Sequence, residues 1–183
     1  MQMRNNSKHH QIEAIAEEIR NCRKCSLSKT RTNAVPGEGD ADSSVVLIGE
    51  APGYWEDRRG RPFVGAAGKV LDEALEEIGL RRAEIFITNV LKCRPPGNRD
   101  PRSEEIRACT PFLDRQLEII KPRFIVTLGR HSTSYLFSKM NLNFYSITRV
   151  HGQIYEARFA DWESLVIPTF HPAAALYLSL IHI

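Results

Sequence analysis

Four short runs of near-continuous apolar residues, at 45–49, 85–89, 124–128 and 165–170, limit what this chain can fold into more than any other feature. Strands that are apolar on both faces need cover on both faces, which an all-parallel sheet between helix layers provides. Between the runs apolar residues recur at helical spacing. Ile12, Ile15, Ala16 and Ile19 predict an amphipathic helix over 10–21, and Val70, Leu71, Ala74, Leu75 and Ile78 form a second stripe that Gly79 can stop. Ser103 is placed to cap a third helix running to about Ile120, with Glu104 and Glu105 at its positive end and Pro111 expected to kink or divide it. A fourth helix is expected over 131–140. The pattern argues an α/β fold: a single domain with a central four-stranded, mostly parallel sheet and helices on both faces.

Right-handed crossovers place the loops that follow the strands on one edge, and ligands of open α/β sheets bind there. The loops beginning at Gly49, Asn89, Gly129 and His171 are therefore expected to share that edge. A chain of 183 residues fits one such domain. Its last six residues, LSLIHI, match one reading frame of a sequencing-library transposon adapter. The domain is accordingly expected to span 1–177, with 178–183 a non-native tail.

No apolar run approaches the ~20 residues of a spanning helix, and MQMRNNSKHH lacks the apolar stretch of a signal peptide, so the expected address is the cytoplasm. The net charge of +3 is mild, but Arg58, Arg59 and Arg61, and then Lys92, Arg94, Arg99 and Arg102, form clusters that suit a phosphate backbone. A solvated face explains a charge run alone more often.

Cys22 and Cys25 form a C-x2-C pair, while Cys93 lies in a proline-rich loop and Cys109 on a helix. At the expected cytoplasmic address, four cysteines suggest a metal centre more than disulfides. Zinc and an iron–sulfur cluster both accept four thiolates, and the spacing alone leaves open either of them or no metal.

Five motifs occur in order: GEAPGYWED (49–57), GRPFVGAAG (60–68), ITNVLKCRPPGNRDP (87–101), VTLGR (126–130) and PTFHPAA (168–174). Together with the cysteine frame they resemble the family-4 uracil-DNA glycosylases, from about Asn21 to Tyr177. The resemblance implies a repair enzyme that flips uracil out of DNA and hydrolyses its bond to deoxyribose, acting as a monomer on single- or double-stranded DNA. It also implies a [4Fe–4S] cluster on Cys22, Cys25, Cys93 and Cys109, structural in role. A non-catalytic uracil- or DNA-binding module of the same fold is the runner-up, and a zinc protein the third reading.

These residues make physical sense in the implied roles. A base that undergoes chemistry leaves the stack, and Phe63 would lie against the flipped ring. The Asn89 amide offers one donor and one acceptor, matching O4 and N3–H of uracil and mismatching cytosine. His171 would donate to O2 as the departing base takes on negative charge. Glu50 and Glu56 would face the oxocarbenium-like sugar or orient water, without a division of labour. Gly49 and Ala51 would border the base through their backbone. Ala51 stands where another branch of the superfamily has its water-activating aspartate, and Gly53 replaces that branch's guard against thymine, a task left to Tyr54 or Glu56. Arg61, Arg94 and Arg99 are expected on phosphates, with Leu176 as a wedge in the duplex. His131 and His151 carry no comparable motif and read as structural.

Overall fold

The computed structural model describes residues 2–177, so the suspected adapter tail at 178–183 lies outside the described residues. In chain order the elements are α1 (Gln2–Asn21), β1 (Glu38–Gly39), β2 (Val45–Gly49), α2 (Tyr54–Arg59), α3 (Ala66–Glu77), β3 (Phe86–Asn89), α4 (Ser103–Ile120) and β4 (Phe124–Leu128). They continue with α5 (Arg130–Lys139), α6 (Ile147–Val150), β5 (Tyr155–Arg158), β6 (Glu163–Thr169) and α7 (Pro172–Tyr177). No helix among the described residues is long and apolar enough to cross a membrane.

The sheet order is β1-β3-β2-β4-β6-β5. The four apolar runs form its parallel centre, β3-β2-β4-β6. Two short antiparallel strands extend it to six: β1 beside β3 and β5 beside β6. Neither carries an apolar run. β1 is a Glu-Gly pair, and β5 reads Tyr-Glu-Ala-Arg with only Ala157 buried, as an edge strand with one wet face should.

Side chains alternate between the two layers, as the pleat requires. Val46 and Ile48 of β2 and Phe86 of β3 pack with Leu113, Leu117 and Ile120 of α4. Leu47 of β2 and Ile87 of β3 turn the other way, onto Leu71 and Leu75 of α3. A third cluster joins Ile15 and Ile19 of α1 to Phe112 of α4, and all four cysteines belong to it.

Two local expectations change. Pro111 does not divide α4: the carbonyl that loses its donor belongs to the exposed Arg107, where water can replace the missing N–H. Ser103 begins the helix without capping it. The buried Glu105 instead reaches back to accept the Arg102 backbone N–H at 2.9 Å, and Arg99 donates to the same carboxylate.

Candidate active site

Chain order places the site. The chain leaves β2 to form β3 on one side and β4 on the other, so a crevice opens at the carboxyl end of β2. Gly49 ends β2 and pairs in register with Asn89, which ends β3. A cleft of about 530 Å³ opens there, lined among others by Glu50, Ala51, Phe63, Asn89, His171 and Leu176. Of the strand-end loops expected on this edge, those at Gly49, Asn89 and His171 thus meet in one cleft.

Gly49 is required by close approach. A Cβ on it would lie 2.3 Å from Asn89 Oδ1 and 2.6 Å from Phe63 Cζ. Asn89 is buried and its backbone is pinned from behind by Lys92, itself buried to 1% exposure. The Lys92 ammonium donates to the Asn89 carbonyl at 2.8 Å, to Gln116 Oε1 at 2.8 Å and to Thr88 Oγ1 at 2.5 Å. All three of its donors are satisfied, which a buried ammonium demands. Burial pushes its pKa down to about 7.

Phe63 sits at φ +49°, a conformation costly for an aromatic residue. Its loop is held against that cost. Arg82 donates to the carbonyls of Pro62 and Phe63 at 2.7 and 3.0 Å, and Glu38 and Asp72 brace the guanidinium. Glu56 Oε1 accepts the backbone N–H groups of Val64 and Gly65, both at 2.8 Å. Glu56 lines the cleft, but this oxygen is committed to fixing the loop that carries Phe63. Asp57, one residue on, is buried and accepts the backbone N–H groups of Thr32 and Asn33, tying α2 to the segment after the C-x2-C pair.

His171 stacks near Phe63, with ring centroids 5.7 Å apart and planes 29° from parallel. The Ala173 backbone N–H donates to its Nδ1 at 3.1 Å. In the neutral ring the proton must then be on Nε2, which leaves that nitrogen a donor. Burial lowers the His171 pKa, with Glu56 opposing, so the neutral form is favoured.

Glu50 is half-buried, and desolvation raises its pKa above the ordinary carboxylate value of 4.5. His131 Nε2 lies 3.8 Å from Glu50 Oε2 and 3.6 Å from Asp100 Oδ1. This nitrogen is buried and has no hydrogen-bond partner among the described residues. His131 and Arg130 favour the Glu50 carboxylate, while Asp100 disfavours it. His131 therefore belongs to the electrostatics of the site. No motif marked it, and only the sheet topology, which brings the start of α5 beside the end of β2, exposes the pairing.

The arginines expected on phosphates divide. Arg61 is paired with Glu38 and Arg99 with the buried Glu105. Arg94 makes no carboxylate pair among the described residues; its Nε donates to Asn98 Oδ1 at 2.7 Å. Leu176 stands on α7 at the rim of the cleft, 47% exposed.

Away from the cleft the four cysteines converge as free thiols, Cys93 and Cys109 buried and Cys22 and Cys25 partly so. Arg31 donates to Cys93 Sγ at 3.0 Å and the Lys92 backbone N–H to Cys109 Sγ at 3.1 Å. Burial pushes the Cys109 thiol up to about 12, so without a cation it is no nucleophile.

Comparison with known proteins agrees with this geometry. The family model described as the uracil DNA glycosylase superfamily matches residues 36–180. The type-4 uracil-DNA glycosylase of Sulfurisphaera tokodaii is 59% identical over 91% of this chain and 76% of its own. Its namesake from Saccharolobus solfataricus is 56% identical over 91% of this chain and 77% of its own. That from Archaeoglobus fulgidus is 52% identical over 91% and 83%. The chain belongs to the uracil DNA glycosylase superfamily.

Proposed function

We propose that the protein releases uracil from DNA by hydrolysing the bond between base and deoxyribose, leaving an abasic site. One observation carries the reading: a base-reading amide, a stacking ring and a neutral imidazole donor line one cleft at the carboxyl edge of the sheet. The uracil-DNA glycosylase names of relatives about half to three-fifths identical support it.

In this mechanism Phe63 stacks on the flipped uracil. The Asn89 amide accepts from N3–H and donates to O4. His171 Nε2–H stabilises the charge that develops at O2 as the glycosidic bond breaks. Glu50 faces the cation-like sugar or orients the attacking water. Ala51 and the backbone after Gly49 border the base, Arg94 meets phosphate and Leu176 fills space at the duplex. Glu56 acts by holding the Phe63 loop. The protein works as a monomer.

Cys22, Cys25, Cys93 and Cys109 hold a [4Fe–4S] cluster in this reading, and their convergence in one buried cluster with N–H donors to Cys93 and Cys109 supports it. When bound, the cluster supplies a cross-link among α1, the proline-rich loop and α4. It takes no part in bond cleavage.

Uracil release from a single-stranded oligonucleotide carrying one deoxyuridine tests the function. Asn89→Ala is expected to lower the rate by about a hundredfold or more, because a buried base edge loses both partners. A wild-type protein that releases no uracil, or an Asn89→Ala variant as fast as wild type, overturns the reading.

The raised pKa of Glu50 gives the rate a pH signature. Glu50 acts as a carboxylate, so activity falls with pH on an acid limb above 4.5. His131→Asn removes a group that favours the charged form, and Arg130 and Asp100, the other charges facing Glu50, stay in place. The limb is expected to move to higher pH, and Glu50→Gln to abolish it along with most of the activity. A pH–rate profile under single-turnover conditions checks both.

A further inference from the structure

Ionic pairing sorts the arginines around the cleft into two groups. Arg61, Arg82, Arg99 and Arg130 each rest on a carboxylate. Arg58, Arg59 and Arg94 have none among the described residues, and each lies over an aromatic ring instead. Arg94 and Arg58 are 5.2 and 5.9 Å from the centroid of Tyr54, and Arg59 is 5.6 Å from that of Trp55. The hydrogen bonds of Arg59 to the Val64 carbonyl and of Arg94 to the Asn98 amide go to neutral acceptors. Among the described residues none of the three has a carboxylate within ion-pair distance.

The two rings meet edge to face at 5.1 Å on the first turn of α2. Tyr54 is 45% and Trp55 53% exposed, and both line the cleft that contains Phe63 and Asn89. Adjacent large aromatics left in water at a pocket rim mark an interaction surface. Three unneutralised guanidiniums around them select a polyanion. Flat rings interleaved with guanidinium planes offer π-faces, which stack on bases. A duplex shows its phosphates and base edges but hides the base faces. An unpaired strand shows both.

We propose that Tyr54 and Trp55 form a stacking shelf for the unpaired base next to the one held in the cleft, with Arg58, Arg59 and Arg94 on the flanking phosphates. The shelf grips single-stranded DNA at a point where duplex gains nothing from it. The proposal rests on the reading of the cleft as a base pocket, and deepens it by naming the strand state that the rim recognises.

The test is binding of a short, labelled, uracil-free single strand to the whole protein, followed by anisotropy, beside a duplex of the same sequence. Trp55→Ala and Tyr54→Ala are each expected to weaken single-strand binding between about fivefold and a hundredfold. Duplex affinity should change by less than about twofold, and Trp55→Phe, which keeps a π-face, should restore most of the single-strand affinity. Arg58→Ala and Arg59→Ala should each lower the slope of log affinity against log salt by about 0.7 on the single strand. Both aromatic side chains are half in water, so thermal midpoints are expected to stay near wild type. Unchanged single-strand affinity, equal losses on single strand and duplex, or failure of Trp55→Phe to restore binding overturns the shelf. The two readings fail separately. Uracil release with no effect of the aromatic variants on binding removes the shelf alone, whereas selective loss of single-strand binding in a protein that releases no uracil removes the base pocket alone.

Discussion

Gly49→Ala is expected to cut uracil release by about a hundredfold or more while the protein stays folded, because a misplacement of about 1 Å in a reacting site is enough for a loss of that size. The added methyl would stand 2.3 Å from Asn89 Oδ1 and 2.6 Å from Phe63 Cζ, well inside van der Waals contact. Neither neighbour can yield cheaply. Asn89 is fixed by its register with Gly49 and by the Lys92 ammonium on its carbonyl. Phe63 is fixed by Arg82 on its own carbonyl and by the Glu56 clamp on the next two N–H groups. Relief must come from tilting the amide or the ring, the two groups that read and stack the base. Gly49 is not among the positive-φ glycines, so alanine adds no backbone strain, and overpacking costs about 1–3 kcal/mol of stability. Gly53→Ala is the comparison. Its nearest neighbour is the end of a side chain, Glu56 Oε2 at 2.8 Å, and its effect on rate is expected to be several times smaller. Single-turnover rates with thermal midpoints check both variants. A Gly49→Ala protein that is folded and fully active would show that Asn89 and Phe63 do not frame the base.

Sheet centre and cleft were legible in the sequence because each leaves a local trace. The four buried strands appear as apolar runs, and the loops that follow three of them meet because parallel strands share a carboxyl edge. What was not legible depends on distant partners. β1 and β5 are edge strands whose pairing is decided by what lies beside them, so their residues show no apolar pattern. Glu56 reads as an acid facing a substrate, yet Val64 and Gly65, several residues away, determine that its Oε1 holds a loop. The charge clusters carried no information about which arginines were already neutralised. Arg61 and Arg99 differ from Arg94 only through Glu38 and Glu105, one on β1 and the other on α4. Lys92, grouped by its charge with the cations suited to phosphate, is instead buried, and its position in the run Val-Leu-Lys-Cys directly after a buried strand is the trace that reading passed over. Thr88 and Asn89, which supply two of its polar partners, stand just before it in the same segment.

Cys109→Ala should produce the other large effect, on the metal centre and through it on the pocket. In the cluster reading the purified protein is brown, with about four irons per chain. Loss of the α4 ligand removes the colour and lowers stability by about 3 kcal/mol or more, since a centre that binds only the folded chain adds its binding energy to folding. For a domain of this size that is a fall of at least about 6–12 °C in thermal midpoint. The sheet keeps its own apolar clusters, whereas the segment from Cys22 to about Ala34 packs through the cluster that contains the cysteines, so damage should concentrate there. That segment leads to the site. Thr32 and Asn33 give their N–H groups to Asp57 on α2, and the preceding residue, Glu56, holds the Phe63 loop. Excision by Cys109→Ala should therefore fall even where the protein remains folded, with KM rising as the stacking ring loses its fixed position. Asp57→Ala, which cuts the same path beyond the cysteines, should reproduce the rise in KM while keeping the iron. Iron content, visible absorbance, limited proteolysis and KM measured on both variants separate the steps. Iron retained by Cys109→Ala, or one zinc per chain in a colourless parent, would remove the cluster reading. A normal KM in iron-free protein would show that the pocket stands without the centre.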